Sequence, residues 1–205
     1  MKTEVEARYW RMYPHIAGVD EVGRGCLAGA VVAAAVVFDQ GFKPQGILEK
    51  VNDSKQLASS VREELAEAIE RTALCYAIAE VPPSEIDKYN ILNATMRAMN
   101  QAVERLLPLP DFLFIDGNYF KPVLPIPFET VVKGDSTVFS IAAASILAKV
   151  HRDNLMKALD AEYPQYGFAK HVGYATPEHI NAIKRHGRCA IHRQSFKLKV
   201  LSEKM

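Results

Sequence analysis

Carboxylates stand at the ends of apolar segments at three places in this chain of 205 residues. Asp20 and Glu21 follow HIAGV, Asp116 ends FLFID, and Asp135 ends FETVVKGD. Active sites of α/β sheets lie where strands end and side chains converge, so we expect these acids to share one site. Carboxylates drawn together repel one another and raise one another's pKa values, a cost that a bound divalent cation removes. Oxygen ligands without a His or Cys partner indicate Mg²⁺ or Mn²⁺ rather than zinc.

Two such ions can activate a water and stabilise the leaving oxygen in phosphodiester hydrolysis. Taken singly, each acid also has a purely structural interpretation. The Asp20-Glu21 pair fits a surface turn, and so does Asp116. Asp135 fits the cap of the helix that follows it. Taken together, on three strands of one domain, the acids favour a metal site.

Regular strand geometry is an obstacle to placing Asp20 and Glu21 in one site. Neighbouring residues on a strand face opposite sides of the sheet. We therefore expect the strand to bend or to end at this pair. Gly23 and Gly25 follow closely, and glycines make such a bend inexpensive.

The composition is that of a folded globular protein, with 49% hydrophobic and 24% charged residues. The longest apolar run, CLAGAVVAAAVVF, is too short to cross a bilayer, and MKTEVEARYW lacks the apolar core of a signal peptide. Three cysteines without CxxC spacing argue against a disulfide framework or a zinc site. We therefore expect a cytoplasmic protein that does not bind membranes.

Charge is distributed unevenly along the chain. From Lys149 onward there are 11 Lys and Arg against 5 Asp and Glu, whereas residues 1–148 carry 14 against 19. A basic C-terminal quarter suits a nucleic-acid partner, because Lys and Arg displace phosphate counterions. A solvated helical surface explains the same charges equally well, so charge alone leaves both interpretations open.

Periodicity predicts strands first and then an alternation of strands and helices. The expected strands lie on either side of the glycine-rich centre of 15–38 and over 74–81, 112–116 and 128–135. The first expected helix begins at Ser60, and two further helices are expected over 91–107 and 137–159. Ser60 and Glu63 fit a capping box at the start of the first helix. The order indicates an α/β fold with a mixed sheet, followed by a basic tail of short helices and loops.

Six blocks of the sequence together resemble the bacterial ribonuclease HII family, in the family's order and over nearly the whole chain. The blocks are GVDEVGRGCLAGAVVAAAVV, NDSKQL, IDGN, KGDSTVFSIAAASILAKVHRD, YPQYGFAKHVGY and HRQSF. The resemblance implies an RNase H-like fold, in which helices flank a mixed β-sheet and a small helical C-terminal subdomain follows. We therefore expect a catalytic core over 1–160 and a substrate-binding extension over 161–205, packed as one domain.

The resemblance also implies an activity. The family cleaves the RNA strand of RNA–DNA hybrids and cuts on the 5′ side of a single ribonucleotide embedded in duplex DNA, as in ribonucleotide excision repair. Its catalytic, metal-binding acids fall on Asp20, Glu21, Asp116 and Asp135. Two-metal hydrolysis with Mn²⁺ or Mg²⁺ is expected to leave 5′-phosphate and 3′-hydroxyl ends.

Substrate contacts are implied at a second set of residues. Gly23-Arg24-Gly25 resembles the family's junction-reading motif, whose backbone lies close to the ribose 2′-OH that separates RNA from DNA. That approach requires glycine, because a Cβ would block it. Tyr174 matches a tyrosine that stacks on the sugar at the RNA-to-DNA step, and Lys55 resembles a phosphate contact.

Other matched positions carry weaker expectations. Lys133, Ser145 and Lys149 are further candidates for phosphate contacts, and Ser145 also suits close helix packing as a small residue. Asp153 matches a family position but lies deep in a predicted helix. We expect it to pair there with nearby basic side chains.

Departures from the family bear on substrate affinity rather than on chemistry. Val172 stands where lysine is frequent, Gln194 where arginine is frequent, and Ala30 where proline is frequent. The C-terminal LSEKM is not a clear clamp-binding motif, so docking on a replication clamp has no support in the sequence. We expect a monomer.

Three other functions compete with this interpretation. A nucleic-acid-binding protein that has lost catalysis would not need the complete set of acids. A junction resolvase could share the fold, since fold alone does not settle substrate, but Gly-Arg-Gly and Tyr174 argue against it. The related ribonuclease HIII usually carries an extra N-terminal domain, and only about 15 residues precede the first motif here.

Overall fold

A five-stranded mixed sheet forms the centre of the molecule. The computed structural model describes residues 1–198, with the side chain of Lys55 excepted. The strands are β1 (Ile16–Val22), β2 (Val31–Val37), β3 (Cys75–Val81), β4 (Phe112–Asp116) and β5 (Phe128–Val131). They lie in the order β3-β2-β1-β4-β5, with β1, β2 and β3 antiparallel and β4 parallel to both β1 and β5. The expected α/β fold with a mixed sheet is confirmed.

Helices cover both faces of this sheet. In chain order they are α1 (Glu4–Tyr9), α2 (Ser59–Thr72), α3 (Pro83–Tyr89), α4 (Ile91–Glu104), α5 (Phe139–Glu162), α6 (Phe168–His171) and α7 (Pro177–His186). Alternate residues of β2 pack against α4 on one face and against α2 and α5 on the other. Because both faces are covered, every residue of β2 is buried, which explains its continuous apolar sequence.

The strand that carries Asp20 lies directly against the backbone of α5. A Cβ built on Gly18 would stand 2.1 Å from the carbonyl carbon of Ser140, so only glycine permits this approach. The first half of α5 is buried all round, as its small apolar residues predict. β1 and α5 are therefore packed closely two residues before Asp20.

The start of α5 is capped from a distant part of the chain. Val138, at the N-cap position, offers no side-chain oxygen. Instead the backbone N–H and the hydroxyl of Ser140 donate to Glu6 Oε1 at 2.8 and 3.0 Å, and Glu6 is buried. A carboxylate of α1 therefore satisfies donors that open the longest helix.

The basic tail forms short helices, as expected. α6, α7 and the segment up to Leu198 enclose an apolar cluster that contains Leu27, Met156 and Phe168. None of the helices in residues 1–198 has the length and apolarity needed to cross a bilayer. LSEKM lies outside the described residues.

Two local predictions are wrong. The strand predicted over 128–135 ends at Val131, because Lys133 takes a left-handed conformation with φ 56° and turns the chain. Asp135 therefore lies in a 3₁₀ turn beyond the strand. The capping box also fails, since α2 begins at Ser59 and its N-cap residue, Ala58, offers no side-chain hydrogen bond.

Candidate metal centre and substrate contacts

Three of the four expected acids form one group at the end of the central strands. Ligand oxygens of Asp20, Glu21 and Asp116 all lie within 4.8 Å of one another. Asp20 is buried, while Glu21 and Asp116 are half-buried at the rim. The group joins two neighbouring strands, since Asp20 and Glu21 belong to β1 and Asp116 ends β4.

The strand does not end at Asp20 and Glu21 but continues to Val22. Both residues stay in register with β2, opposite Ala34 and Ala33, and the pairing continues to Val22. On the other side, the pairing of β1 with β4 ends at Val19. Beyond that point no paired backbone separates the two faces of β1, so carboxylates that leave opposite faces can meet around its open side.

Asp20 is the most deeply placed of the three acids. Burial raises the pKa of Asp20 well above its usual range, and the nearby carboxylates of Glu21 and Asp116 raise it further. A side-chain hydrogen bond with Ser145 and the backbone N–H of Glu21, which donates at 2.7 Å, oppose that rise. Ser145 in turn shares a buried hydrogen bond of 2.9 Å with Ser54. The carboxylate is therefore held in place before any cation binds.

Glu21 forms an ion pair with the side chain of Arg24. Burial raises the pKa of Glu21, while Arg24, whose Nη1 lies 3.2 Å from Glu21 Oε1, lowers it. The Arg24 side chain is 50% exposed, so this ion pair lies at the surface of the site. It links the acids to the residues that follow β1.

Asp116 is tied to the turn that carries Asp135. The backbone N–H of Gly134 donates to Asp116 Oδ1 at 2.7 Å. Asp135 is the next residue and is buried, with the Ser136 hydroxyl 3.4 Å from its Oδ1. Asp135 thus adjoins the three clustered acids without belonging to the group whose oxygens lie within 4.8 Å. The strand-end reasoning found this acid although no strand ends there.

The donor set suits a hard divalent cation. All the clustered ligands are carboxylate oxygens, which Mg²⁺ and Mn²⁺ prefer. Burial together with mutual repulsion disfavours the charged carboxylates in the absence of a cation, and a bound cation reverses that preference. Asp20, Glu21 and Asp116, with Asp135 beside them, are the residues that can hold such ions.

The segment after β1, residues 23–30, is called here the glycine loop. Gly23 has φ 93°, and a Cβ on it would lie 2.3 Å from Arg152 Nε, so the fold itself requires glycine at this position. Gly25 differs, because a Cβ on it would meet nothing within 4 Å. Space therefore remains in front of Gly25, where the sequence predicts that a ribose approaches.

Two buried arginines that sequence reasoning missed hold the glycine loop from behind. Arg152 donates to the carbonyls of Ala28, Ala30 and Val172 at 2.8–3.0 Å. Arg193 donates to carbonyls of the loop at 2.6–3.1 Å. Both side chains are fully buried. In the sequence, Arg152 lies in a predicted helix and Arg193 lies inside HRQSF. Neither pattern shows which groups the arginine contacts.

Tyr174 lies beside the glycine loop. Its side chain is 40% exposed and lies near enough to Cys26 to lower the pKa of the thiol. Burial raises the pKa of the Cys26 thiol, and Arg152 and Arg193 oppose that rise. The backbone of Gly173 accepts a bond from the Leu27 N–H at 2.8 Å. The glycine loop and the segment that carries Tyr174, both predicted to contact the substrate, are therefore in contact.

The remaining predicted phosphate contacts and the predicted ion pair of Asp153 have different outcomes. The side chain of Lys55 is outside the described part of the chain, although its backbone lies in the 3₁₀ turn Ser54–Gln56. Ser145 contacts Asp20 rather than standing free to meet a phosphate. Lys149 pairs with Asp153 at 2.7 Å, and Arg62 lies 3.8 Å from the same carboxylate. The expectation that Asp153 pairs with basic side chains is confirmed.

Comparison with known proteins agrees with this geometry. The family model described as Ribonuclease HII matches residues 17–199. The chain belongs to the ribonuclease HII family. A ribonuclease HII of Chloroherpeton thalassium is 61% identical over 204 residues, with 100% of both chains covered. The expected RNA–DNA hybrid endoribonuclease is thereby confirmed.

Solved structures of archaeal relatives share the architecture. The ribonuclease H2 from Pyrococcus horikoshii OT3 is 26% identical with a TM-score of 0.75, covering 89% of this chain and 94% of that one. A ribonuclease HII of Archaeoglobus fulgidus, solved as a complex with PCNA, is 27% identical with a TM-score of 0.73, covering 90% and 96%. The RNase H-like fold is confirmed.

Membership of the ribonuclease HII family also bears on two of the competing interpretations. A junction resolvase and a ribonuclease HIII are set aside by the family match over residues 17–199. Two of the three departures from the family, Val172 and Gln194, form backbone contacts within the protein. The carbonyl of Val172 accepts from Arg152, and the backbone N–H of Gln194 donates to Asp87 at 2.9 Å.

Proposed function

We propose that this enzyme nicks duplex DNA on the 5′ side of a single embedded ribonucleotide, besides cleaving the RNA strand of RNA–DNA hybrids. One observation carries the proposal, namely that the clustered acids and the glycine loop are continuous. Glu21 pairs with Arg24 at 3.2 Å, and Tyr174 lies near enough to Cys26, two residues on, to lower the pKa of its thiol. A ribose held at Gly25 would therefore lie between the acids and an exposed aromatic ring.

We propose Asp20, Glu21, Asp116 and Asp135 as the ligands of Mg²⁺ or Mn²⁺. Such cations, when bound in a pair, supply Lewis-acid activation of water and stabilisation of the leaving oxygen, which leaves 5′-phosphate and 3′-hydroxyl ends. Support comes from the purely carboxylate donor set and from the Gly134 N–H bond that ties Asp116 to the turn of Asp135. No side chain acts as a covalent nucleophile.

The remaining residues of the site orient the acids and the substrate. Ser145 holds Asp20, the Gly134 N–H holds Asp116, and Arg24 holds Glu21. Arg24 keeps half of its side chain exposed, so it can also meet a phosphate of the incoming strand. The room in front of Gly25 admits the ribose, and Tyr174 offers an aromatic face on which the sugar can stack.

We assign duplex binding to the extension over 161–205 and catalysis to the core over 1–160. The extension is basic and contains an open cleft of about 700 Å³ lined in part by Lys170, Arg185 and His186. Lys55 is proposed to meet a phosphate of the substrate. We place the enzyme in the cytoplasm as a monomer that acts in ribonucleotide excision repair. Docking on a replication clamp is not proposed for this chain, although a ribonuclease HII of Archaeoglobus fulgidus was solved as a complex with PCNA.

The test is cleavage of a labelled DNA duplex that contains one ribonucleotide, with Mg²⁺ or Mn²⁺ and the cut mapped to the nucleotide. A continuous RNA–DNA hybrid is cut in parallel. We expect a nick immediately 5′ of the ribonucleotide that chelator abolishes. Cutting of the hybrid alone would overturn the roles proposed for Gly25 and Tyr174 and leave the metal chemistry standing.

A Gly25→Ala variant sharpens this test. A Cβ at Gly25 meets nothing in the protein, so the variant should fold and bind Mn²⁺ normally. The added methyl group nevertheless occupies the space proposed for the ribose. We therefore expect a selective loss of nicking at the single ribonucleotide. Unchanged nicking would show that the substrate does not approach Gly25.

A further inference from the structure

Arg193 organises the backbone of the glycine loop through one guanidinium group. Its Nη2 donates to the carbonyls of Gly23 and Gly29 at 2.6 and 2.9 Å, its Nη1 to that of Arg24 at 2.8 Å, and its Nε to that of Gly29 at 3.1 Å. The side chain is 0% exposed. A planar fork of donors is needed to reach three carbonyls at once, and only arginine provides one.

Backbone carbonyl oxygens contact the charged group of Arg193 directly, whereas the Asp87 carboxylate favours that charge without forming an ion pair with it. Among residues 1–198 no Asp or Glu oxygen forms an ion pair with Arg193, and the same holds for Arg152. Burial lowers the pKa of Arg193 to about 10, which still leaves it charged at neutral pH. Two buried cations that depend on loop carbonyls fix the direction of those carbonyls, because a carbonyl turned away would leave charge uncompensated.

The direction of the carbonyls decides the direction of the amides. In a trans peptide the C=O and the following N–H point in opposite directions. The Gly23 and Arg24 carbonyls turn inward to Arg193, so the N–H groups of Arg24 and Gly25 turn outward. Within the described residues neither N–H has a backbone acceptor. Two adjacent outward N–H groups form a site for an oxygen of the substrate.

We propose that Arg193 is a positioning residue for substrate recognition, one that turns the Arg24 and Gly25 amides toward the ribose at the RNA–DNA junction. The inference rests on the proposed function of the glycine loop and assigns the cause of its geometry. Arg193 itself meets neither substrate nor metal, since it is fully buried behind the loop. Loss of its fork should therefore impair recognition and leave cation binding intact.

Arg193→Lys is the decisive variant, because it keeps the charge and loses the fork. Arg188→Met is the matched control. Arg188 binds the carbonyls of Arg193, Gln194 and Phe196 at 2.5–2.9 Å, so it holds the same C-terminal segment and does not touch the glycine loop. Both variants are compared with the parent chain at a temperature at which all three are folded.

The readout is the ratio of kcat/KM on a single-ribonucleotide duplex to kcat/KM on a continuous hybrid. In Arg193→Lys we expect this ratio to fall about tenfold or more, with Mn²⁺ affinity unchanged, as when charge-assisted hydrogen bonds are lost. In Arg188→Met the ratio should hold. An unchanged ratio in Arg193→Lys, or an equal fall in both variants, would overturn the inference.

A second readout reports the loop without activity. The Arg24 side chain is exposed, so trypsin cleavage after Arg24, mapped by mass spectrometry, measures how firmly the loop is held. Cleavage should rise in Arg193→Lys and not in Arg188→Met. Equal protection of parent and Arg193→Lys would refute the positioning role. Failure of the parent chain to nick a single ribonucleotide would instead count against the proposed function, so the two failures are distinct.

Discussion

Ser145 and Ser54 share a buried hydrogen bond of 2.9 Å, and the Ser145 side chain also interacts with the Asp20 carboxylate. Ser145 lies on α5 and Ser54 on the 3₁₀ turn that precedes α2. The deepest acid of the candidate metal centre is therefore oriented by hydroxyl groups from two other elements. Partners of this kind orient metal ligands in many proteins.

Ser145→Ala should weaken cation binding. Loss of the hydroxyl removes a bond that favours the charged form of Asp20, whose pKa burial already raises. We expect Mn²⁺ affinity to fall about tenfold to a hundredfold, the usual cost of losing such a partner. Calorimetric Mn²⁺ titration measures it. Ser140→Ala, on the same buried helix, removes a hydroxyl that bonds Glu6 rather than a clustered acid, and it should leave affinity unchanged; an equal effect of both variants would count against the assignment.

Asp116→Asn should abolish most turnover while the chain stays folded. The substitution keeps the shape of the side chain and removes one clustered carboxylate. We expect kcat to fall about a hundredfold or more, since metal ions contribute several kcal/mol of transition-state stabilisation. Mn²⁺ should raise the Tm of the parent chain more than that of the variant, because the variant lacks one ligand and part of the repulsion that a cation relieves. Near-normal turnover of folded Asp116→Asn would exclude this acid from the site.

Glu6→Ala should destabilise the fold without changing the chemistry. The variant removes the acceptor of the Ser140 N–H and hydroxyl at the start of α5. We expect a loss of about 1–2 kcal/mol in the free energy of unfolding, as for a missing helix cap. Urea denaturation measures it, with Glu4→Ala in the same helix as an exposed control. Equal stability of the two variants would show that the cap is not needed.

Mild acid should destabilise the C-terminal subdomain through two histidines. His179 Nε2 lies 3.1 Å from His192 Nε2, the Cys189 N–H donates to His192 Nδ1, and His179 Nδ1 contacts the Tyr174 carbonyl at 2.8 Å. Burial, and then the neighbouring His179, lower the pKa of His192 to about 4, and burial lowers the pKa of His179. Arg188 and His171 act in the same direction on His192.

The sign of the pH effect follows from those directions. Between pH 6.5 and about 4 the unfolded chain binds protons that the folded chain excludes, so stability falls as pH falls through this range. Urea denaturation at several pH values measures the slope. His192→Asn should flatten it, and His186→Asn, at an exposed position, should not. A slope that His192→Asn leaves unaltered would exclude this pair as its source.

Local patterns allowed the frame of the molecule to be predicted. The strands and long helices follow from periodicity because their apolar faces meet the sheet directly. Asp20, Glu21 and Asp116 could be grouped because strand ends converge in this class of fold. Asp135 was found for a reason that the structure does not support, since its strand ends at Val131 and a left-handed Lys133 makes the turn.

Long-range polar contacts were beyond sequence reasoning. The bond from Arg193 to Gly23 spans 170 positions, and the bond from Ser140 to Glu6 spans 134. No periodicity connects such residues, because each is polar and buried by elements far away in the chain. An arginine in HRQSF looks like part of a basic surface until the burial of its side chain is known. The same holds for Glu6 in a charged N-terminal segment.

The span between Gly23 and Arg193 has a consequence for biosynthesis. A ribosome makes Gly23 170 positions before Arg193, so this guanidinium cannot hold the glycine loop until the chain has been elongated past Arg193. The strands and α5, which carry the acids and their supports, precede Arg193 and can assemble first. A chain truncated before His192 should thus retain the carboxylate group and lack a fixed loop. Synthesis of the segment that contains Arg193 would itself separate a cation-binding intermediate from a selective nuclease.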